Sequence, residues 1–431
     1  MNRPALLVDI GSTRVKVCET GGAGGPGAVE SVPRRPDTAP GEQVRALVGE
    51  RHRGADPPRL RVCSSAGGGL RVGILGLTRR HSTAAAARAA VAAGGNVLYE
   101  RLLGSGPPPP ALPPVDVLVV AGGVDGAALR HLRAALEHTP PAAFRHETLV
   151  WAGAAAPDVL AALRPDRVAA NVLDERLRPS VRGLAEVIHG IHVGDLADRK
   201  GLRALDGMTE VPVWPTPAVV GLAAERLAGG RSPAAVTAPF LIVDVGGATT
   251  DVFHCAELRA PGAARVAPGE SVARRVFTDL GVAGSLPALR QRLAADPGLL
   301  ELAAAVAPDR PRALYHALCE GTGDALAPPG AFLACLYLAV RRLFDPAGPD
   351  RLRPGPGATG VLVTGGAWAG APGAAVRRVL AAACGVPGAR WGVRFDRGYR
   401  LWARGLLAVP PGAAGEAQPP QAPTRGAERG G

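Results

Sequence analysis

The sequence lacks several features that mark common classes of protein. None of its apolar stretches reaches the roughly 18 residues that a membrane-spanning helix needs, and the alanine run 84–93 is broken by Arg88. The first apolar run ends at Asp9, so we expect no secretory signal peptide. The six cysteines are far apart and form no CxxC pair, which argues against a zinc site or a disulfide framework. These absences predict a soluble, reduced, cytoplasmic protein with no membrane association.

Aromatic residues and lysines are also scarce. Aromatic residues make up 4% of the chain, and lysine occurs only at positions 16 and 200. Although the formal net charge is +12, the arginines are scattered and few aromatics could stack on bases, so we expect no nucleic-acid binding. Because arginine supplies nearly every other positive charge, Lys16 is informative. Its compact ammonium stands beside a glycine loop, where it could reach a phosphate as a point charge.

Several familiar catalytic motifs are missing or misleading. The sequence contains no GxxxxGK[ST] phosphate loop and no GxSxG nucleophile elbow. The stretch 22–27 fits GxGxxG, but it contains Pro26 and opens no helix, so we expect a loop. His189 and His192 have a metal-ligand spacing without the glutamate of a metalloprotease, which favours a packing role.

Two apolar runs, 6–10 and 240–245, each end in Asp-x-Gly and are followed by a second strand-like run. Each pattern predicts a strand, a glycine turn and a returning strand. Strands that alternate with helices indicate mixed α/β layers with one sheet in each half. The predicted helices cover 82–93, 125–138, 174–190, 216–229 and 371–383.

A second pair of strands supports an internal duplication. The apolar strands that end at Gly123 and Gly366 are each followed by an alanine-rich helix, at nearly the same offset as the two Asp-x-Gly runs. We therefore predict two equivalent halves, 1–211 and 212–409. The tail 410–431 has no apolar periodicity and is predicted to be disordered.

The first loop, DIGSTRVK, covers residues 9–16 and can hold an anion. Glycine lets backbone amides approach phosphate oxygens, and neighbouring hydroxyls add donors. An aspartate at the strand end can hold hydrated magnesium. An ordinary β-hairpin is the alternative interpretation. The residues predicted to act here are Asp9, with a catalytic and magnesium-binding role, and Gly11, Ser12, Thr13 and Lys16, which would bind nucleotide.

The second loop, DVGGATTD, covers residues 244–251 and is denser in glycines, hydroxyls and acids than a simple turn requires. Asp244 is predicted to be catalytic and to hold magnesium through water. Two such loops on opposing halves could grip the β- and γ-phosphates from both sides. The residues predicted to bind nucleotide in this loop are Gly246, Gly247, Thr249 and Thr250.

The third element, VLVTGGAWAG, covers residues 361–370 and combines a strand with a double-glycine turn. The turn could lie flat against a purine and its ribose, with Trp368 or Ala369 nearby. A packed strand–helix turn is the alternative. The predicted nucleotide contacts are Gly365, Gly366 and Ala367.

At these residues the chain resembles the sugar kinase, heat-shock chaperone and actin superfamily, whose two phosphate motifs and adenosine motif occur in this order. Several segments are more similar to the glutamate mutase L, or MutL-type, family. They are LLVDIGSTRVKV, CSSAGGGLRVGILGLTRRHSTAAAARAAVAAGGNVL, VLVVAGGVDG, WPTPAVV and FLIVDVGGATTDVF. The region 260–355 matches less well.

This resemblance implies an α/β fold, the duplicated actin-like ATPase (ribonuclease H-like) fold, with two similar halves around a nucleotide cleft. It implies ATP or ADP with magnesium as the ligand. It also implies association with an adenosylcobalamin-dependent mutase, such as glutamate mutase, as an ATP-dependent reactivating chaperone with slow hydrolysis.

Two alternatives fit the same motifs. A small-molecule kinase would use an extra aspartate as base for an acceptor hydroxyl, and no convincing base is found in the sequence. An actin-like scaffold would bind ATP without relying on hydrolysis and would assemble with itself or with a partner.

Overall fold

The structure is a computed structural model that describes residues 4–21, 24–53, 58–65, 69–122, 126–154, 157–199, 201–230, 239–258, 272–320, 325–345, 351–354, 358–368, 370–386 and 388–410. The strands are β1 (Ala5–Ile10), β2 (Arg14–Thr20), β3 (Pro26–Pro33), β4 (Arg59–Ser64), β5 (Arg71–Gly76), β6 (Asn96–Leu102), β7 (Val115–Gly122), β8 (His146–Gly153), β9 (Arg167–Val168), β10 (Trp214–Pro215), β11 (Phe240–Val245), β12 (Thr250–Cys255), β13 (Val272–Phe277), β14 (Ala358–Thr364) and β15 (Arg390–Phe395).

The α-helices are α1 (Pro40–Arg51), α2 (Ala84–Ala92), α3 (Gly126–His138), α4 (Pro157–Leu163), α5 (Arg182–Arg199), α6 (Thr216–Ala228), α7 (Leu286–Ala294), α8 (Leu299–Val306), α9 (Pro311–Glu320), α10 (Pro328–Phe344), α11 (Gly373–Cys384) and α12 (Leu401–Ala408). Single 3-10 turns occur at Pro141–Ala143, Arg203–Leu205 and Ala256–Leu258. Among the described residues, no helix is both long enough and apolar enough to cross a bilayer.

Two of the sheets repeat one topology. The first has the strand order β10-β4-β1-β2-β3 and the second has the order β13-β12-β11-β14-β15. In each sheet the central strand pairs antiparallel with the strand that follows it and parallel with a later strand. β1 and β11 lie in the middle of their sheets, which explains why their sequences are apolar apart from Asp9 and Asp244. The duplicated actin-like fold is therefore confirmed.

A third sheet lies between β4 and β10 in the chain, and it corrects the expectation of one sheet in each half. Its order is β6-β5-β7-β8-β9, and all of its strand pairs are parallel. The strands before Gly123 and Gly366 were predicted to be equivalent members of the internal duplication, and this prediction is wrong. β7 belongs to the inserted sheet, whereas β14 pairs with β11 in the second sheet. Buried parallel strands share the same apolar pattern, so the pattern alone does not identify the sheet. The first-sheet equivalent of β14 is β4.

The two halves are not strictly consecutive in the chain. The predicted boundary after residue 211 falls just before β10, yet β10 completes the first sheet. Near the C-terminal end, α12 packs against α6 and returns to the first sheet. Buried Arg61 on β4 fixes this return by donating to the carbonyl oxygens of Leu406 (3.1 Å) and Val409 (2.9 Å). The predicted disorder of the tail concerns residues outside the described part, apart from Pro410.

Most of the predicted helices lie within a few residues of their expected places, with two differences. The helix predicted to begin at Ser82 is α2, and a π-helical turn, Arg79–Thr83, precedes it. Thr78 caps this π-helical turn. The side chain of Ser82 bonds back to the Thr78 amide at 2.9 Å, so it belongs to the first turn. The helix expected over 174–190 is α5, which begins and ends later.

The largest core lies around the second sheet. α10 is buried from residue 331 to residue 340 and packs against β11, β12 and α11. One side of the first sheet joins this core through Ala5, Leu7 and Cys63, whereas its other side and the inserted sheet have smaller apolar cores. The turns at the ends of β1 and β11 are therefore held on two rigid sheets.

Candidate nucleotide-binding site

The two Asp-x-Gly loops are structurally equivalent turns. The Gly11 amide donates to the Arg14 carbonyl at 2.9 Å, and the Gly246 amide donates to the Thr249 carbonyl at 2.8 Å. Each glycine therefore closes the turn between a central strand and its antiparallel neighbour.

The loops face each other. A Cβ atom built on Gly247 would lie 3.4 Å from Ser12 Oγ and 4.0 Å from Thr13 Cγ2. Ser12 and Thr13 are exposed, whereas Gly247 is half-buried. The structure thus brings the first-loop hydroxyls close to a glycine of the second loop.

Lys16 is held by Asp9 at the base of the first loop. Its Nζ lies 2.8 Å from Asp9 Oδ2, and Asp9 itself is buried. The other carboxylate oxygen accepts a 2.6 Å hydrogen bond from Thr216 Oγ1 and lies 3.6 Å from Cys63 Sγ. Burial lowers the pKa of Lys16, but the charge and hydrogen bond of Asp9 and the charge of Asp244 raise it more. Lys16 is therefore a permanent cation between the two loops.

Asp244 has a different environment. Burial and then the charge of Asp251 raise its pKa from 3.8 to about 7, and the charge of Lys16 partly opposes this rise. Within the described part of the chain, no hydrogen bond reaches its carboxylate. Among the same residues, no cluster of three or more His, Cys, Asp or Glu side chains could hold a metal ion. Any cation bound by Asp244 would therefore keep most of its ligands as water or phosphate oxygens.

The two threonines of the second loop have different orientations. Thr250 is buried, and its hydroxyl donates to the Leu280 carbonyl at 2.9 Å, away from the first loop. Thr249 is half-buried, and its Oγ1 lies 3.3 Å from Asp251 Oδ2. Thr250 is the first residue of β12, all of whose residues are buried, whereas Thr249 lies in the turn before this strand.

The double-glycine turn after β14 reaches the second loop. Gly365 has a φ of +85°, and a Cβ atom built on it would lie 2.5 Å from Asp244 Oδ1 and 2.7 Å from the Val245 carbonyl oxygen. Gly366 is exposed, with no atom within 4 Å of its built Cβ, and Ala367 is buried. The turn thus packs against Asp244 through one glycine and offers open space beside the other.

The sequence analysis missed an aromatic side chain at this site. The ring centroid of Tyr399 lies 5.9 Å from Lys16 Nζ, and its hydroxyl donates to the Gly366 carbonyl at 3.4 Å. Its ring stacks on Trp368 at 6.0 Å, and its backbone is left-handed, with a φ of +50°. Tyr399 therefore links Lys16, beside the first Asp-x-Gly loop, to the double-glycine turn. The signal available in the sequence was the turn-forming DRGY segment, in a chain with only four tyrosines.

Asp396 holds this tyrosine segment in place. Its carboxylate accepts from the amides of Arg400 (3.0 Å) and Leu401 (2.9 Å) and from Thr364 Oγ1 (3.1 Å). It therefore ties the start of α12 to the end of β14.

The family comparison agrees with this geometry. A family model described as MutL protein matches residues 5–305. The chain belongs to the MutL protein family. A curated relative, Protein MutL of Clostridium tetanomorphum, is 34% identical over 119 residues, which are 27% of this chain and 26% of that protein. This MutL family member therefore spans about a quarter of the length of the curated relative that it matches.

Two solved structures match this MutL family member at low sequence identity and low TM-score. Component A of (R)-2-hydroxyglutaryl-CoA dehydratase from Acidaminococcus fermentans is 11% identical, with a TM-score of 0.30, and the match covers 94% of this chain and 96% of that one. Xylulose kinase from Bifidobacterium adolescentis is 14% identical, with a TM-score of 0.34, and the match covers 95% and 94% of the two chains. The repeated strand order, rather than these scores, carries the fold assignment.

The donor set of this MutL family member fits a magnesium-bound polyphosphate. The first loop offers exposed hydroxyls and a fixed ammonium, and the second offers a glycine pair and a carboxylate without a hydrogen-bond partner in the described residues. Near the double-glycine turn, the indole Nε1 of Trp368 is buried and has no hydrogen-bond partner among the described residues. This nitrogen is a donor that a purine or ribose acceptor could satisfy.

Replacing each of the two glycines of the turn by alanine is expected to change the free energy of unfolding by a different amount. Gly365→Ala is expected to lower the free energy of unfolding by about 1–3 kcal/mol, because alanine is strained at this positive φ and its Cβ meets Asp244. Gly366→Ala is the matched control and should stay within about 0.5 kcal/mol. Denaturant unfolding of both variants measures the difference. Equal effects would contradict the described turn.

Proposed function

We propose that this chain binds ATP or ADP with magnesium between its two phosphate loops and works as a nucleotide-driven switch. The observation that carries the proposal is the approach of Gly247 to Ser12 and Thr13, with Lys16 fixed beside Asp244. A hairpin turn needs neither a permanent cation nor a second, equivalent loop opposite it. Both features would stabilise the charge of a bound polyphosphate.

We assign the residues of the first loop as follows. Gly11 shapes the turn, and Ser12, Thr13 and Lys16 contact phosphate oxygens. Asp9 fixes the Lys16 ammonium, since both of its own oxygens have protein neighbours.

On the second loop, Gly246, Gly247 and Thr249 face the phosphates, and Asp244 would hold magnesium through water. Magnesium, when bound, would neutralise charge on the phosphates and orient the attacking water. Thr250 is left out of the contact set because its hydroxyl is bonded in the core.

The purine would lie against the turn formed by Gly365, Gly366 and Ala367. Tyr399 and Trp368 form an aromatic wall beside this turn. A base stacked on such a wall is recognised by its π-face, which makes Tyr399 the first residue to test for nucleotide preference.

The finer proposal is that the switch serves as a reactivating chaperone of an adenosylcobalamin-dependent mutase such as glutamate mutase. Membership of the MutL family supports it. Two sheets that each hold one phosphate loop move relative to each other when a nucleotide is bound or hydrolysed, and a partner that contacts both can be gripped or released. Nucleotide can change partner affinity only by its differential binding to the two forms, typically about 5–150-fold.

Reactivation of a damaged mutase tests this role. The mutase is inactivated with its damaged cofactor bound, and this protein is added with fresh adenosylcobalamin, magnesium and either ATP or a non-hydrolysable analogue. We expect activity to return with ATP and not with the analogue. No recovery in either mixture, together with phosphorylation of a small hydroxylated metabolite, would favour a kinase instead.

A further inference from the structure

One arginine on β13 contacts both the second phosphate loop region and α2, a helix that packs against the inserted sheet. Arg274 Nε donates to Asp251 Oδ1 at 2.8 Å, and its Nη1 donates to the Val91 carbonyl at 3.0 Å. The Arg274 and Asp251 side chains are only 7% and 10% exposed. The guanidinium is therefore shared between two parts of the fold that are far apart in sequence.

The contact continues into the phosphate loop. Asp251 also accepts from Thr249 Oγ1 at 3.3 Å, and Thr249 is one of the residues that we assign to the phosphates. An unbroken series of polar contacts thus runs from Val91 through Arg274 and Asp251 to Thr249.

At its other end, the series terminates on the last turn of α2. The Val91 carbonyl also accepts from the Gly94 amide at 3.0 Å, so the arginine completes the C-terminal cap of this helix. A positive charge at this place is further favoured by the helix dipole. A movement of α2 would therefore strain or break the contact with Arg274.

A pocket of about 190 Å³, partly open to solvent, lies beside the bridge between α2, α6 and β13, and its walls include Val91, Leu222, Phe253 and Arg274. Where this pocket lies, the side chains of the three elements do not fill the space between them, so the contacts of Arg274 contribute more of the connection.

We propose that Arg274 is a positioning residue that couples the inserted sheet to the second phosphate loop. Nucleotide that orders Thr249 also orders Asp251 and Arg274, and through them the end of α2. By reciprocity, a partner that moves α2 changes nucleotide affinity. The inference rests on the proposed nucleotide function and adds the inserted sheet as the element that senses or signals the nucleotide state.

Amide hydrogen exchange tests the coupling in the full chain, with and without magnesium and a non-hydrolysable ATP analogue. In the parent, nucleotide is expected to slow amide exchange in the loop peptides 9–16 and 244–251. It should also slow exchange in the peptide 84–95 by about fivefold or more, since fivefold is the lower limit of typical coupling between two sites. Arg274→Lys keeps a charge beside Asp251 but cannot fork to Val91. It should retain the loop response and lose most of the response at 84–95.

Two further variants complete the comparison. Arg274→Met removes both contacts and should also lose the response at 84–95. Arg292→Met is the matched control, since it removes an arginine–aspartate pair of α7, and Asp279 keeps its second partner, Arg342. It should respond as the parent does.

The outcomes separate the inference from the function on which it rests. An undiminished response at 84–95 in both Arg274 variants would overturn the coupling, as would loops that respond in the parent while 84–95 does not. No response in either loop of the parent would instead overturn the proposed nucleotide site.

Discussion

Replacing Asp244 by asparagine is expected to raise the melting temperature at pH 8 and to reduce ATP hydrolysis by about a hundredfold or more. Burial and the neighbouring Asp251 raise the pKa of Asp244 from 3.8 to about 7. The folded state therefore keeps a proton that the unfolded chain loses, so this carboxylate costs stability as the pH rises from about 4 through about 7. Asparagine removes that cost, together with the charge that magnesium requires.

Binding should suffer less than hydrolysis in this variant, because amides, hydroxyls and Lys16 still contact the phosphates. Melting curves at pH 5 and pH 8 and steady-state hydrolysis assays measure the two effects. The gain in stability should be small at pH 5 and larger at pH 8.

Asp279→Asn provides the control. Burial raises the pKa of Asp279, but Arg342 and Arg292 lower it more, to a net value below the ordinary one. This variant should therefore lose stability above the ordinary pKa and keep its hydrolysis rate. If Asp244→Asn hydrolyses ATP as fast as the parent, the role given to the second loop is wrong.

Replacing Lys16 by methionine is expected to weaken binding of ATP with magnesium by about tenfold to a hundredfold, the loss of one charge-assisted contact. It should also lower stability, because it leaves the buried Asp9 carboxylate without its ion-pair partner. Calorimetric titration and thermal melting measure the two changes.

A double variant separates the two roles of this lysine. Adding Asp9→Asn to Lys16→Met removes the unpaired charge and should restore much of the stability. Nucleotide affinity should stay low, because no ammonium reaches the phosphates. Recovery of full affinity in the double variant would show that Lys16 acts only through folding.

The strand, turn and returning strand at each Asp-x-Gly segment were predictable because their signal is local. An apolar strand, an aspartate and a glycine turn lie within a few residues, and the same pattern recurs in the other half. Lys16 was identifiable because lysine is rare in this chain.

The inserted sheet and the partners at the site depend on contacts between distant segments. β7 and β14 have the same apolar pattern but lie in different sheets, so the pattern predicted an incorrect pairing. Tyr399 reaches Lys16 only because α12 returns to the first sheet. The orientation of Thr250 away from the cleft depends on the register of β12, which the sequence of the loop does not determine.

The central claim is that the two loops hold a magnesium-bound adenine nucleotide, and the most direct measurement is the melting temperature of the parent with and without that ligand. At a ligand concentration about 100 times the dissociation constant, the folded state should gain roughly 2.7 kcal/mol, which appears as an upward shift of the melting temperature. The shift should depend on magnesium and should be smaller in Lys16→Met at the same ligand concentration. An unchanged melting temperature with millimolar ATP or ADP in the presence of magnesium would contradict the claim.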